Sequence, residues 1–192
     1  MIQTEAFVKV TIDSVQELRQ WLSENQDNTE SVWLVRFKKS VPAKYVDRLD
    51  VIDELLCWGW VDGLARRLDD DRTMQLISPR RQQKWSKTYK DRCEQLAAAG
   101  RMQAPGLAAI DLSKALGLWD AYEQVDLLQV PPDLREALDA RPQAALFFDA
   151  AAPSYRRNVL RWIDSAKRPD TRVARVAKTQ QFCAFGKKLP QM

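Results

Sequence analysis

Apolar and polar positions follow two different periods along this chain, and the change falls near Pro79. Before it, Phe7–Ile12 alternates apolar with polar residues, which predicts a strand. Asp13 or Ser14 can cap a following helix whose apolar stripe runs through Val15, Leu18, Trp21 and Leu22. SVWLVRFK, residues 31–38, is β-branched and aromatic and predicts the clearest strand of the chain. Val41–Pro42 marks a loop. Tyr45 to Trp58 reads as a helix burying Val46, Leu49, Ile52, Leu55 and Leu56, and Gly59 stops it. Val61–Leu68 and Thr73–Ile77 predict two strands joined by the acidic turn Asp69-Asp70-Asp71 and closed by Pro79.

From Lys84 onward the strand pattern ceases. Ser86 can cap a helix ending at Gly100, and a second follows Pro105 to about Tyr122. Further helices begin at Pro131-Pro132, Pro142, Pro153 and Pro169, since proline is tolerated in the first turn. The pattern predicts an α+β protein. Residues 1–83 would form a small antiparallel or mixed sheet with two flanking helices, and residues 84–192 an all-helical region.

Composition narrows the chemistry. The chain has 192 residues, enough for one substantial core or two small lobes, and its 45% hydrophobic and 29% charged residues are ordinary for a globular protein. No apolar run is long enough to span a bilayer, and the first residues lack the pattern of a secretory signal, so a cytoplasmic address is expected. Cys57, Cys93 and Cys183 are odd in number and widely spaced, which argues against a disulfide framework or a zinc site. Histidine is absent, so Ser-His-Asp and Cys-His catalysis and histidine metal sites are excluded within this chain. No cofactor is expected. From Ser154 onward ten lysines and arginines face only Asp164 and Asp170, so this segment is strongly basic and the rest is net negative.

Candidate chemistry concentrates between Cys57 and Lys87, where three tryptophans, an Asp-Gly pair and Pro79-Arg80-Arg81 occur together. Trp60 and Asp62 would share a strand face. Arg80 offers a fork of donors suited to anions, and Ser86 at a helix start adds free backbone N–H groups. Trp60, Asp62, Arg80, Trp85, Ser86 and Lys87 therefore outline a groove for a small anionic ligand or a protein partner, with Asp62 and Arg80 close enough to pair. No residue is assigned a catalytic role. Asp69, Asp70 and Asp71 lack calcium-loop spacing, so no metal is expected there. Two other readings compete. The basic end, through Arg168, Arg172 and Arg175, could contact nucleic-acid phosphates, although pairing with acids of the preceding lobe is the plainer expectation. Asp62 could alternatively serve as acid or base in a histidine-free enzyme.

Several fragments, in order, resemble one family: Lys38-Lys39-Ser40, ELLCWGWVDGLARRLDDDR at 54–72, SPRRQQKWSK at 78–87, GRMQAPGLAAI at 100–110 and SYRRNVLRWIDSAKRPDTRVARVAK at 154–178. Together they look like the YdeI/OmpD-associated, or bacteriocin-protection, family, and the resemblance covers nearly the whole chain. It implies an OmpD-associated helical segment at about 130–190 and a protective or stress-linked role, with no defined reaction. Tyr89 stands where the family usually has asparagine, and Ile77-Ser78 replaces Phe-Thr.

Overall fold

The structure, a computed structural model, describes residues 6–190. It is an α+β fold with a four-stranded mixed sheet in the N-terminal half and helices beyond it. The chain divides into two compact units, the first ending at Asp120 and the second beginning at Ala121.

In the first unit, β1 (Lys9–Ile12) runs parallel to β2 (Val32–Phe37), with α1 (Val15–Glu24) as the connection. Ser14 caps α1 by accepting the Glu17 N–H. β3 (Trp60–Arg67) and β4 (Arg72–Pro79) form the expected hairpin, and β4 inserts beside β2, giving the order β1-β2-β4-β3. In the hairpin turn, Asp69 accepts the backbone N–H groups of Asp71 and Arg72 and pairs with the Arg72 side chain.

One face of the sheet carries Val10, Ile12, Val32, Leu34, Trp60 and Ile77, and α1 and α2 (Arg48–Cys57) cover it. The helix expected from Tyr45 begins three residues later. Pro42–Lys44 forms a 3-10 turn, and Asp47 caps α2 by accepting the Leu49 N–H at 2.8 Å. Leu49 thereby sits in the first turn and faces solvent, while Val51 takes a core position.

α3 (Lys87–Ala98) and α4 (Ala104–Ala115) pack against α2 in this same unit, so the end of the strand pattern and the division into units fall at different places. Their shared core contains Ile52, Leu56, Cys57, Trp85, Cys93 and Leu96. α4 is shorter than expected; the chain turns at Gly117 with φ +67°, a conformation glycine adopts without strain.

The second unit holds α5 (Glu123–Asp126), α6 (Pro132–Asp139), α7 (Pro142–Ala150), α8 (Pro153–Asp164) and α9 (Pro169–Ala184). Leu134, Leu138, Phe148, Val159, Ile163 and Val176 form its core. No described residue after Pro79 lies in a strand. Among the described residues, no helix is long and apolar enough to cross a membrane.

Candidate functional site

Strand alternation puts Trp60 and Asp62 on the helix-covered face of the sheet, but the two positions meet different surroundings. Trp60 is 1% exposed and meets Trp21 of α1 edge to face, with ring centres 5.4 Å apart. It is a core anchor and not a groove wall, because α1 crosses the sheet where Trp60 projects. Two residues on, the covered face becomes polar. Arg36 of β2, Gln75 of β4 and Asp62 gather at the edge of the apolar core, next to the N-terminus of α2.

Asp62 is bound on several sides. Its Oδ2 accepts from Gln75 Nε2 at 3.1 Å and from Arg48 Nη2 at 3.4 Å, and its Oδ1 accepts from the Tyr89 hydroxyl. The expected pairing with Arg80 is therefore not made: no hydrogen bond or ion pair joins them, because other donors already fill the carboxylate. Burial, followed by the hydrogen bond to Asp62, pushes the Tyr89 phenol above its ordinary range, so it donates to Asp62 as a neutral group.

Arg80 is placed by backbone geometry. Gly59 ends α2 with φ +72°, and its carbonyl accepts the Arg80 N–H at 2.8 Å, fixing the end of β4 beside the C-terminus of α2. A Cβ at Gly59 would come within 2.7 Å of the Pro105 carbonyl oxygen, so only glycine fits there. The Arg80 guanidinium carbon then lies over Trp85, 3.8 Å from its ring centre, and 6.0 Å from the centre of the Tyr89 ring. It is 7% exposed, and its Nε and Nη1 have no hydrogen-bond partner. Burial lowers its pKa from the usual arginine value, and the nearby Cys93, Tyr89 and Asp62 oppose that shift. The indole N–H groups of Trp58 and Trp85, from the same cluster, are also buried and unbonded. Four buried donors thus lack acceptors, each at a desolvation cost of about 1–3 kcal/mol.

Ser86 caps α3, its Oγ accepting the Tyr89 N–H at 3.4 Å. Trp85 immediately precedes that cap and Tyr89 lies in the first turn, so Arg80 stands beside the helix start, where the dipole favours negative charge. Lys87 extends along the outside of α3 to Asp91, at 2.8 Å. The neighbouring carboxylates are paired with arginines, although the buried Glu54 Oε2 makes no hydrogen bond and has Arg19 Nε 3.9 Å away. Asp53, 4% exposed, accepts from Arg92 and Arg101, and Glu54, 1% exposed, accepts from Arg101 at 2.8 Å. Sequence reasoning missed Arg36, Arg48 and Gln75 because nothing local marks them. Tyr89 carried a signal, as the departure from the resembled family.

Two of the three arginines of the basic reading are committed within the second unit. Arg172 forks onto Asp133 at 2.7 and 3.0 Å, and Arg175 donates to the Trp162 carbonyl and to Ser165 Oγ while lying over the Trp162 ring. These partners belong to the same unit and not to acids of the preceding lobe, because α9 packs among the helices that carry them. Arg168 lies exposed at the start of α9.

Two family profiles match the chain. One, described as a domain of unknown function (DUF8412), covers residues 10–109; the other, described as Bacteriocin-protection, YdeI or OmpD-Associated, covers residues 128–184. Neither the curated proteins nor the solved structures searched gave a match.

Proposed function

Because the chain belongs to the DUF8412 family over more than half its length and carries a YdeI/OmpD-associated, bacteriocin-protection domain, we propose that it is a binding protein whose first unit holds a compact anion at Arg80. The observation that carries this reading is the Arg80 guanidinium, 7% exposed with Nε and Nη1 unbonded. An isolated buried charge is expensive unless a counter-charge reaches it. Trp85 holds the guanidinium in place, and the first turn of α3 adds its dipole. The tryptophan N–H groups in the same cluster add donors that an acceptor-rich ligand could use. This is equipment for holding an anion rather than for transforming one. Such binding would serve a cytoplasmic, non-enzymatic role in protection or stress, and the bacteriocin-protection domain at residues 128–184 supports the protective part of that reading.

Isothermal titration of the full chain with formate, acetate and sulfate tests the reading. Saturable binding that disappears in Arg80→Met, with the fold retained by circular dichroism, is the expected result. Absence of binding by every anion would remove it.

A further inference from the structure

We propose that the second unit carries a docking pocket for an acidic segment of a partner protein, which inserts one large apolar side chain between Phe185 and the start of α7. The pocket lies where the end of α6, the start of α7 and the end of α9 meet, and it is lined by Ala140, Arg141, Pro142, Gln143, Ala184 and Phe185. Its volume of about 360 Å³ suits a single bulky side chain and the backbone beside it. No residue of the Arg80 site takes part.

The apolar surface at this corner is left over from the core. Leu146 and Phe185, 72% and 69% exposed, are the most open large apolar side chains among the described residues. Their neighbours fill the core instead: Ala144 and Phe148 on α7, and Cys183 and Leu189 on either side of Phe185. Pro142 and Leu146 are four residues apart on one face of α7, so the apolar floor of the pocket continues along that helix. Apolar side chains gathered around a hollow mark an interaction site, unlike the scattered exposure of an ordinary surface.

Charge selects the partner. Arg141 lines the pocket, and Lys187 follows Phe185 by two residues; both are exposed, and neither has a carboxylate partner among the described residues. Lys178, two helical turns before Phe185, adds an exposed cation on the same side of α9. The acid nearest to Arg141 in the chain, Asp139, is already engaged by Arg135, which also forks onto Asp149. Carboxylates flanking the inserted side chain therefore meet cations without displacing an internal pair, whereas a basic segment meets repulsion. An anionic lipid surface fits less well. A flat headgroup layer leaves the hollow between Arg141 and Phe185 unfilled and brings phosphates against the Asp139 side chain, which is 57% exposed.

The test uses short fluorescein-labelled peptides in which a central phenylalanine, tryptophan or leucine is flanked by aspartates and glutamates. They are titrated with the full chain at low ionic strength and followed by anisotropy. At least one should bind saturably, and replacing its central residue with alanine or its flanks with lysines should weaken it by at least about tenfold. Phe185→Ala should weaken the same peptide by about tenfold and Arg141→Ala by about fivefold, while Arg141→Glu should shift preference toward the lysine-flanked version. Both side chains are exposed, so circular dichroism and melting temperature should stay unchanged in each variant. Failure of all three acidic peptides to bind, or binding indifferent to both alanine variants, would overturn the proposal. Two further results would also overturn it. Sedimentation with phosphatidylserine vesicles, lost in Phe185→Ala while the peptides fail, would assign the corner to a lipid surface. A concentration-dependent dimer in analytical ultracentrifugation, lost in the same variant while the peptides fail, would assign it to a second copy of the chain.

Discussion

The guanidinium carbon of Arg80 lies 3.8 Å from the centre of the Trp85 ring, and both side chains are almost wholly buried. A cation–π contact of this kind contributes about 2 kcal/mol when desolvated. It does not satisfy the N–H groups at the edge of the guanidinium, and the Nε and Nη1 nitrogens remain unbonded.

Arg80→Met should therefore separate stability from binding. Losing the cation–π contact costs stability, while removing a desolvated charge with unbonded donors restores it. In anion-free buffer the expected change is small, within about 1–2 kcal/mol, even though binding is lost. Calorimetric melting with and without formate measures both. A large loss of stability in anion-free buffer would mark Arg80 as a structural post.

Glu54 gives a contrasting case. It is 1% exposed, and Arg101 donates to its Oε1 at 2.8 Å. Arg101→Met should cost about 3 kcal/mol by leaving a buried carboxylate with no hydrogen-bonded cation and only the longer ion pair to Arg19, 3.9 Å away. Glu54→Gln in the same chain should recover part of the loss, as urea denaturation of the two variants would show.

The contact between α4 and the end of α2 depends on Gly106. A Cβ there would lie 2.2 Å from the Cys57 carbonyl oxygen and 2.7 Å from that of Leu56. Backbone atoms cannot step aside as a flexible side chain can. Gly106→Ala should destabilise the first unit by about 2–3 kcal/mol, because the two helices must separate. Denaturant unfolding followed by tryptophan fluorescence would register it.

The cysteines should be inert in the folded protein. Burial pushes Cys57 and Cys183 up to about 11 and Cys93 up to about 12. At neutral or mildly alkaline pH the thiolate fraction is negligible, and access is closed as well. Ellman's reagent at pH of about 8 should find no fast-reacting thiol until the protein is unfolded, and then three. A rapid native reaction would contradict the packing described.

Acid sensitivity of the second unit should come from two arginine-bound carboxylates. Arg172 holds Asp133, and Arg135 holds Asp149, below the ordinary carboxylate value of 3.8. The unfolded chain therefore takes up these protons first as pH falls. The stabilisation is complete above the ordinary value and is lost as pH falls through the lower folded values. Asp133→Asn should flatten the acid limb of stability against pH, measured by thermal melts. Both carboxylates are partly exposed, so the effect should shrink with added salt.

The sequence by itself determined where strands give way to helices, because hydrophobic period is a local property of the backbone geometry. Ser14 and Ser86 as helix caps, the turn at Asp69–Asp71 and the helix starts at Pro142, Pro153 and Pro169 were legible for the same reason: each acts within a few residues. The resemblance to the YdeI/OmpD-associated family was legible as well, and the profile match over residues 128–184 supports it. What only the tertiary structure decided is which partner each polar side chain meets. Alternation placed Trp60 and Asp62 on one face, but the path of α1 made Trp60 core, and the ends of α2 and α3 surrounded Asp62 with Arg48 and Tyr89, 14 and 27 residues away along the chain. Arg80 could be recognised in the sequence as an anion-seeking residue. That it would be buried against Trp85 with unbonded donors depends on a glycine turn at Gly59 and on the packing of α3 against α2, which are non-local and leave no period in the sequence.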